Sequence, residues 1–144
     1  FAGSSYHLIK VDAPGAFHPK ITMIVGPKKG RMMIGSANLT ALGLGGNKEL
    51  VANIIYNPDV PDHARHFAAA INYIRRYVPV DDTWFVTALQ RAMRRAPWLR
   101  NAIEAPPTEN GADDDIAILL DRPDMTILDQ IVRQIGSRSC MAHV

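Results

Sequence analysis

Apolar residues change period twice along the chain. Residues 6–11 and 20–25 are dense in aliphatic and β-branched side chains and bounded by Pro and Gly, which predicts buried strands. Gly26-Pro27-Lys28-Lys29-Gly30 reads as a hairpin connection into a third strand at 31–34, and residues 50–56 make a fourth, closed by Asn57-Pro58. Between the last two, residues 36–46 carry Ala37, Leu39, Ala41, Leu42 and Leu44, a short helical turn ending in glycines.

From Asp62 the period becomes helical. Phe67, Ala70, Ile71, Ile74 and Val78 share one face, Arg65, His66, Asn72, Arg75 and Arg76 the other, and Pro79 stops the helix. A second helix starts at the caps Asp81-Asp82-Thr83, runs through Trp84, Phe85, Ala88, Leu89 and Ala92 to about Arg95, and ends before Pro97. Trp84 and Trp98 read as core. Residues 104–115, "EAPPTENGADDD", form a linker. Beyond it come a buried-strand run at 116–120, a turn, and a helix with Ile127, Leu128, Ile131 and Ile135 on one face and Gly136 as its stop. The organisation is therefore a unit over 1–103, with its polar motif at 18–49 and helices at about 62–95, then the linker, then 116–144 as the opening of a second strand–helix unit. The fold class is α/β, a mixed sheet flanked by helices.

A chain of 144 residues with 47% hydrophobic content has enough apolar surface for one globular domain. Its formal charge is only +2, which excludes a strongly basic nucleic-acid packager. Basic residues nevertheless cluster, at Lys28, Lys29 and Arg31 and again at Arg75, Arg76, Arg91, Arg94, Arg95 and Arg100, while Asp113, Asp114 and Asp115 form an acidic run. Cys140 is the single cysteine, so an intrachain disulfide or cysteine metal cage is excluded and a reducing, cytoplasmic setting is expected. No run of about 18 apolar residues and no basic-then-apolar leader is present, so neither a membrane span nor a signal peptide is expected. Opening at Phe1 suggests a processed product or part of a longer polypeptide.

The polar residues of "FHPKITMIVGPKKGRMMIGSANLTALGLGGNKELV" stand at strand ends. His18 and Lys20, two apart on a strand, project to the same side, an arrangement suited to a nucleophile or proton carrier beside a cation and equally to an ordinary exposed pair. Gly35-Ser36-x-Asn38 falls where a strand gives way to a helical turn, where Ser36 and Asn38 either donate to phosphate oxygens or cap the helix. Asn47-x-Glu49 precedes the fourth strand, and its carboxylate either orients an imidazole or is merely solvated. Lys28, Lys29 and Arg31 would contact a phosphate backbone if the hairpin lay beside these groups.

Taken together, His18-x-Lys20, Gly35-Ser36-x-Asn38, Gly43 and Asn47-x-Glu49 resemble the HKD signature of the phospholipase D superfamily. Eight such positions coincide by chance about once in 10¹⁰ placements. "FHPKI" and "IGSANLT" are most similar to the nuclease, restriction and helicase-associated branch. One position departs: the family's Asp five residues after the Lys is Val25 here.

The resemblance implies a fold of two such halves facing each other across a pseudo-twofold axis. It also implies metal-independent phosphodiester cleavage through a phosphohistidine, with no cofactor. His18 would be nucleophile or acid/base, Lys20 and Asn38, with Ser36, would hold the phosphate oxygens, and Glu49 would orient an imidazole. Nucleic acid ranks above phospholipid as substrate, and a non-cleaving phosphate- or DNA-binding module of a larger defence or helicase protein is the alternative. His7, His63, His66 and His143 are not followed two residues later by Lys, so the second half must come from a homodimer mate or from a longer chain. The strand–helix unit at 116–136 favours the longer chain.

Overall fold

Gly26 donates its N–H to the Lys29 carbonyl across 2.8 Å, and this tight turn folds β1 (Ile21–Val25) back onto β2 (Gly30–Gly35). β3 (Val51–Tyr56) pairs with the far side of β2. In this computed structural model, which describes residues 8–13, 17–38, 40, 45–46, 48–106, 116–120 and 122–137, the sheet is antiparallel throughout, in the order β1-β2-β3. The pattern predicts a mixed sheet; the ladders among the described residues are all antiparallel. The chain divides into two compact units, Phe1–Ala105 and Pro106–Val144.

Strand alternation sets which face of the sheet is covered. Met23, Met32 and Ile54 lie in register, as do Val25, Gly30 and Tyr56, and Met32, Ile54 and Tyr56 are buried. The opposite face carries Ile24, Arg31 and Ile55 in register, and Ile24 is 61% exposed.

Helices cover the buried face. A 3₁₀ turn over Pro61–His63 leads into α1 (Ala64–Arg75), which buries Phe67, Ala68, Ala70 and Ile71 and also His66, read from the pattern as lying on the opposite face but packed with its ring 5.8 Å from that of His63. α2 (Thr83–Arg95) is capped by Asp82, whose carboxylate accepts from the Phe85 N–H at 2.7 Å. α3 (Pro97–Glu104) begins with Pro97 in its first turn and buries Leu99. The pattern predicts no helix here, because Pro97 reads as the stop of α2; proline is equally suited to the first position of a new helix, where its missing N–H costs nothing.

Trp98 ties α3 to the sheet. Its indole Nε1 donates to the Gly26 carbonyl at 3.0 Å, its ring stacks on Tyr56 at 3.9 Å and meets the edge of Phe67 at 5.2 Å. A Cβ on Gly30 would lie 2.8 Å from the indole, so this position must be glycine for the ring to reach the strand. Trp84, read as core from sequence, is 65% exposed: it stands on α2, which fully buries none of its residues.

The apolar run at 6–11 predicts a strand. Residues 8–11 form no ladder, and residues 6–7 lie outside the described residues. The Asp12 N–H instead donates to the Tyr77 carbonyl at 2.7 Å, and Phe17 packs on Tyr77 and Tyr73 at 4.8 and 6.4 Å. Aromatic contacts at the end of α1 thus hold this segment in place of a strand partner.

In the second unit, residues 116–120 likewise form no ladder among the described residues, and an Arg122–Met125 bridge closes the following turn. α4 (Ile127–Ser137) runs one residue past Gly136, the expected stop. Gln130 is buried and donates to the carbonyls of Leu120, Met125 and Thr126, so a side chain serves acceptors that a ladder would otherwise use. Among the described residues no helix is long and apolar enough to cross a membrane.

Candidate functional site

Because the sheet is antiparallel, the start of β1, the end of β2 and the start of β3 share one end. Pairing continues a residue beyond the strands there: the Gly35 N–H donates to the Lys20 carbonyl at 3.3 Å, and the Ser36 N–H to the Leu50 carbonyl at 3.0 Å. Lys20, Ser36 and Glu49–Leu50 are thereby gathered from segments up to 30 residues apart.

The Lys20 ammonium lies 3.0 Å from Nδ1 and 3.1 Å from Nε2 of His18. The two distances are nearly equal, so the ammonium of half-buried Lys20 sits against the exposed ring without alignment on one lone pair. An ammonium offers only donors, so a ring nitrogen accepts from it only where that nitrogen carries no proton. An arriving oxyanion would compete with that nitrogen for the cation, and the imidazole lone pair would then be available.

Ser36 is engaged between the two strands β2 and β3. Its hydroxyl donates to the Glu49 carboxylate and accepts from the Leu50 N–H at 3.2 Å. One proton and one lone pair are thus committed in opposite directions, which fixes the hydroxyl rotor and clamps the end of β2 to the start of β3. Glu49, expected to orient an imidazole, accepts a hydrogen bond from the Ser36 hydroxyl. Gly35 permits this closeness: a Cβ there would strike the Leu50 carbonyl and approach Val51 Cα to 2.8 Å.

Asn38 follows two residues on, exposed, with its carbonyl accepting from the Thr40 N–H at 2.8 Å. Gly43, Asn47 and most of the expected helical turn lie outside the described residues. Val25 is the last residue of β1, paired with Gly30 at the opposite end of the strand.

Lys28 and Lys29 also stand at that opposite end, in the turn after Val25, and Arg31 sits beside Ile24 and Ile55 near the same end. Five residues of strand at about 3.4 Å each separate the hairpin from Lys20, roughly 17 Å. The structure therefore brings together His18, Lys20, Ser36 and Glu49, with Asn38 following, and leaves the three hairpin cations apart from them.

Sequence reasoning places Ser36 and Glu49 separately and misses their pairing. The signal is present only in the strand register, which sets Gly35 opposite Val51 and so carries the next residue onto Leu50. A cavity of about 360 Å³ lies elsewhere in this unit, lined by Val78, Pro79, Phe85, Leu89, Met93 and Ile103 with Arg75 and Gln90 among its polar members; its lining holds no histidine or carboxylate. Among the described residues no group of three His, Cys, Asp or Glu is placed to hold a metal ion.

Comparison of the chain with protein-family models, with curated proteins and with solved structures found no match.

Proposed function

We propose that the chain is one half of a phospholipase D-like phosphodiesterase acting on nucleic acid, with His18 and Lys20 at its reacting centre. The observation that carries this reading is the placement of an imidazole–ammonium pair at the same sheet end as the Ser36–Glu49 clamp, in the motif order of that superfamily. A phosphodiester needs its charge neutralised, phosphorus attacked and a poor leaving group protonated. Lys20 with Asn38 offers the first, and an imidazole suits either of the others near neutral pH.

In the proposed cycle an imidazole nitrogen attacks phosphorus, and a second imidazole hands its proton to the departing oxygen as the P–O bond breaks. Water, deprotonated by that second imidazole, then attacks the phosphohistidine, and the P–N bond breaks to restore the first. His18 takes one of these roles. The other belongs to a second motif, from another copy of the chain or from further polypeptide, giving a two-lobed site.

Incubating the full chain with labelled single- and double-stranded DNA in EDTA, beside His18→Ala, tests the reading. Cleavage that persists in EDTA and vanishes in the variant is expected. Cleavage abolished by EDTA, or surviving in the variant, would sink the mechanism, and binding without cleavage by either protein would favour a recognition module.

A further inference from the structure

Charge is divided unequally along this chain. Residues 1–105 carry 13 Lys and Arg against 7 Asp and Glu, whereas residues 106–144 carry 3 against 7. Within the first unit the excess is also localised. No acidic residue occurs between Asp12 and Glu49, and none between Asp82 and Glu104. The first of these stretches supplies the β1–β2 hairpin, the second α2 and most of α3.

Trp98 joins the two stretches at one place. Its hydrogen bond to the Gly26 carbonyl and its seat against Gly30 dock the start of α3 on the hairpin turn. Lys28 and Lys29 are two and three residues from Gly26, and Arg94 and Arg95 are four and three residues from Trp98. At most about 3.8 Å of chain per residue separates each cation from this joint. All four are exposed, and with Arg100 on the exposed side of α3 they make this end of the unit predominantly cationic, with Asp59 and Asp62 following Tyr56 at the same end of the sheet.

We infer that this end, the hairpin turn together with the α2–α3 corner, binds the phosphate backbone of nucleic acid as an anchor separate from the His18–Lys20 site. The inference goes beyond the phosphodiesterase reading, because the surface lies at the other end of the sheet and needs no imidazole. Three features select the partner. Arginine predominates, and its planar fork matches phosphate oxygens in pairs. The cations come in adjacent pairs within two stretches that hold no carboxylate, so at this end they outnumber Asp59 and Asp62 and a polyanion meets net attraction. The distance of roughly 17 Å to Lys20 corresponds to about five base-pair steps at 3.4 Å, a length that a duplex spans and a single phosphate headgroup does not. An anionic membrane is the competing partner, because exposed Ile24 and Ile55 flank Arg31 beside the hairpin; the span to Lys20 favours the duplex, and sedimentation with vesicles separates the two.

The test is equilibrium binding of the full chain in EDTA, by fluorescence anisotropy with a 30-base-pair duplex and by sedimentation with phosphatidylserine vesicles. A Lys28→Ala/Lys29→Ala/Arg94→Ala/Arg95→Ala variant is compared with one carrying Lys28→Arg/Lys29→Arg/Arg94→Lys/Arg95→Lys. The alanine variant is expected to bind duplex at least about ten-fold more weakly at 50 mM salt, with the slope of log affinity against log salt reduced by about 0.9 for each phosphate contact removed. The charge-retaining variant should stay within a few-fold of the parent. Equal duplex binding and equal salt slope in the alanine variant would overturn the inference. So would parent protein that sediments with vesicles yet leaves the duplex free, or that binds neither. Binding is read without turnover, so its failure is distinct from a failure to cleave.

Discussion

The hydroxyl of Ser36 donates a hydrogen bond to the Glu49 carboxylate while accepting one from the neighbouring Leu50 N–H, so two residues 13 apart in sequence act as a latch between β2 and β3. Both partners are at the surface, which limits what the latch contributes to folding but leaves its positioning role intact. Ser36→Ala removes both bonds at once and should lower stability by about 0.5–1.5 kcal/mol. Glu49→Gln retains an acceptor for the hydroxyl and should cost less. Urea unfolding of the two single variants and the double variant checks this: strictly additive effects would mean that the pair is not coupled.

Gly35 makes that latch possible. Its missing side chain lets the Leu50 carbonyl come directly alongside, and the obstacle to any Cβ is backbone, which cannot swing away like a flexible side chain. Gly35→Ala should therefore destabilise by about 1–3 kcal/mol and disturb the amide signals of Ser36 and Leu50. Gly136 on α4 has open space around the same atom, and there the substitution should stabilise the helix by up to about 1 kcal/mol. Opposite signs in thermal melts are the expected result.

Lys20 is half-buried and its ammonium contacts His18, so a replacement that keeps its apolar stem should separate chemistry from folding. Lys20→Met should leave unfolding within about 0.5 kcal/mol of the parent. If the cation stabilises phosphate charge in the transition state, the same change should slow DNA cleavage by about 10²–10³-fold. A slow variant with a shifted melting curve would point to misfolding in place of lost electrostatics.

Much of the helical layer was legible because its punctuation is local. Asp82, one of the expected caps, caps α2, and the amphipathic spacing around Phe67 and Ile71 places the buried face of α1 except for His66, which is buried although its spacing puts it on the other face. Three features were not legible, each for a tertiary reason. Pro97 ends one helix and starts the next, and only the second role needs the packing of Leu99 and Trp98 to be seen. Trp84 and Trp98 are the same residue type on adjacent helices, yet only Trp98 finds a glycine opposite that admits its ring. The apolar runs at 6–11 and 116–120 signal burial, but pairing into a ladder depends on a partner strand that composition does not specify. At the candidate site the spacing of His18 and Lys20 indicates a shared side from sequence alone. The contact of Ser36 with Glu49 depends on the β2–β3 register, which a period of two leaves open to alternatives.

Trp98 provides the clearest stability prediction. The indole stacks on Tyr56, meets Phe67 edge-on and donates to Gly26. Trp98→Ala should cost about 3–5 kcal/mol, a large share of the stability of a domain this size. Trp98→Phe keeps an aromatic ring and loses the donor, leaving the Gly26 carbonyl to water, so its cost should be nearer 1 kcal/mol. Denaturant titrations followed by circular dichroism would distinguish the two; equal losses would mean that the hydrogen bond, not the ring, anchors α3.

The start of α4 should respond to acid through Asp129. Its carboxylate accepts from the Thr126 hydroxyl at 2.6 Å and from the Thr126 N–H at 3.1 Å, while the Asp129 N–H donates back to that hydroxyl at 3.2 Å, a reciprocal cap of the first turn. The Thr126 hydroxyl first, and its N–H second, hold the Asp129 carboxyl below the ordinary aspartate range. A depressed folded value means that the cap's contribution is fully present above the ordinary value near 3.9 and is lost as the pH falls through the lower folded value. Amide shifts of Thr126 and Asp129 should therefore hold steady from neutral pH down to about 4 and move together below it. In Asp129→Asn, which cannot ionise, that joint movement should be absent. Wild-type shifts that titrate above the ordinary aspartate range would reverse the sign of the effect and rule the cap out as its cause.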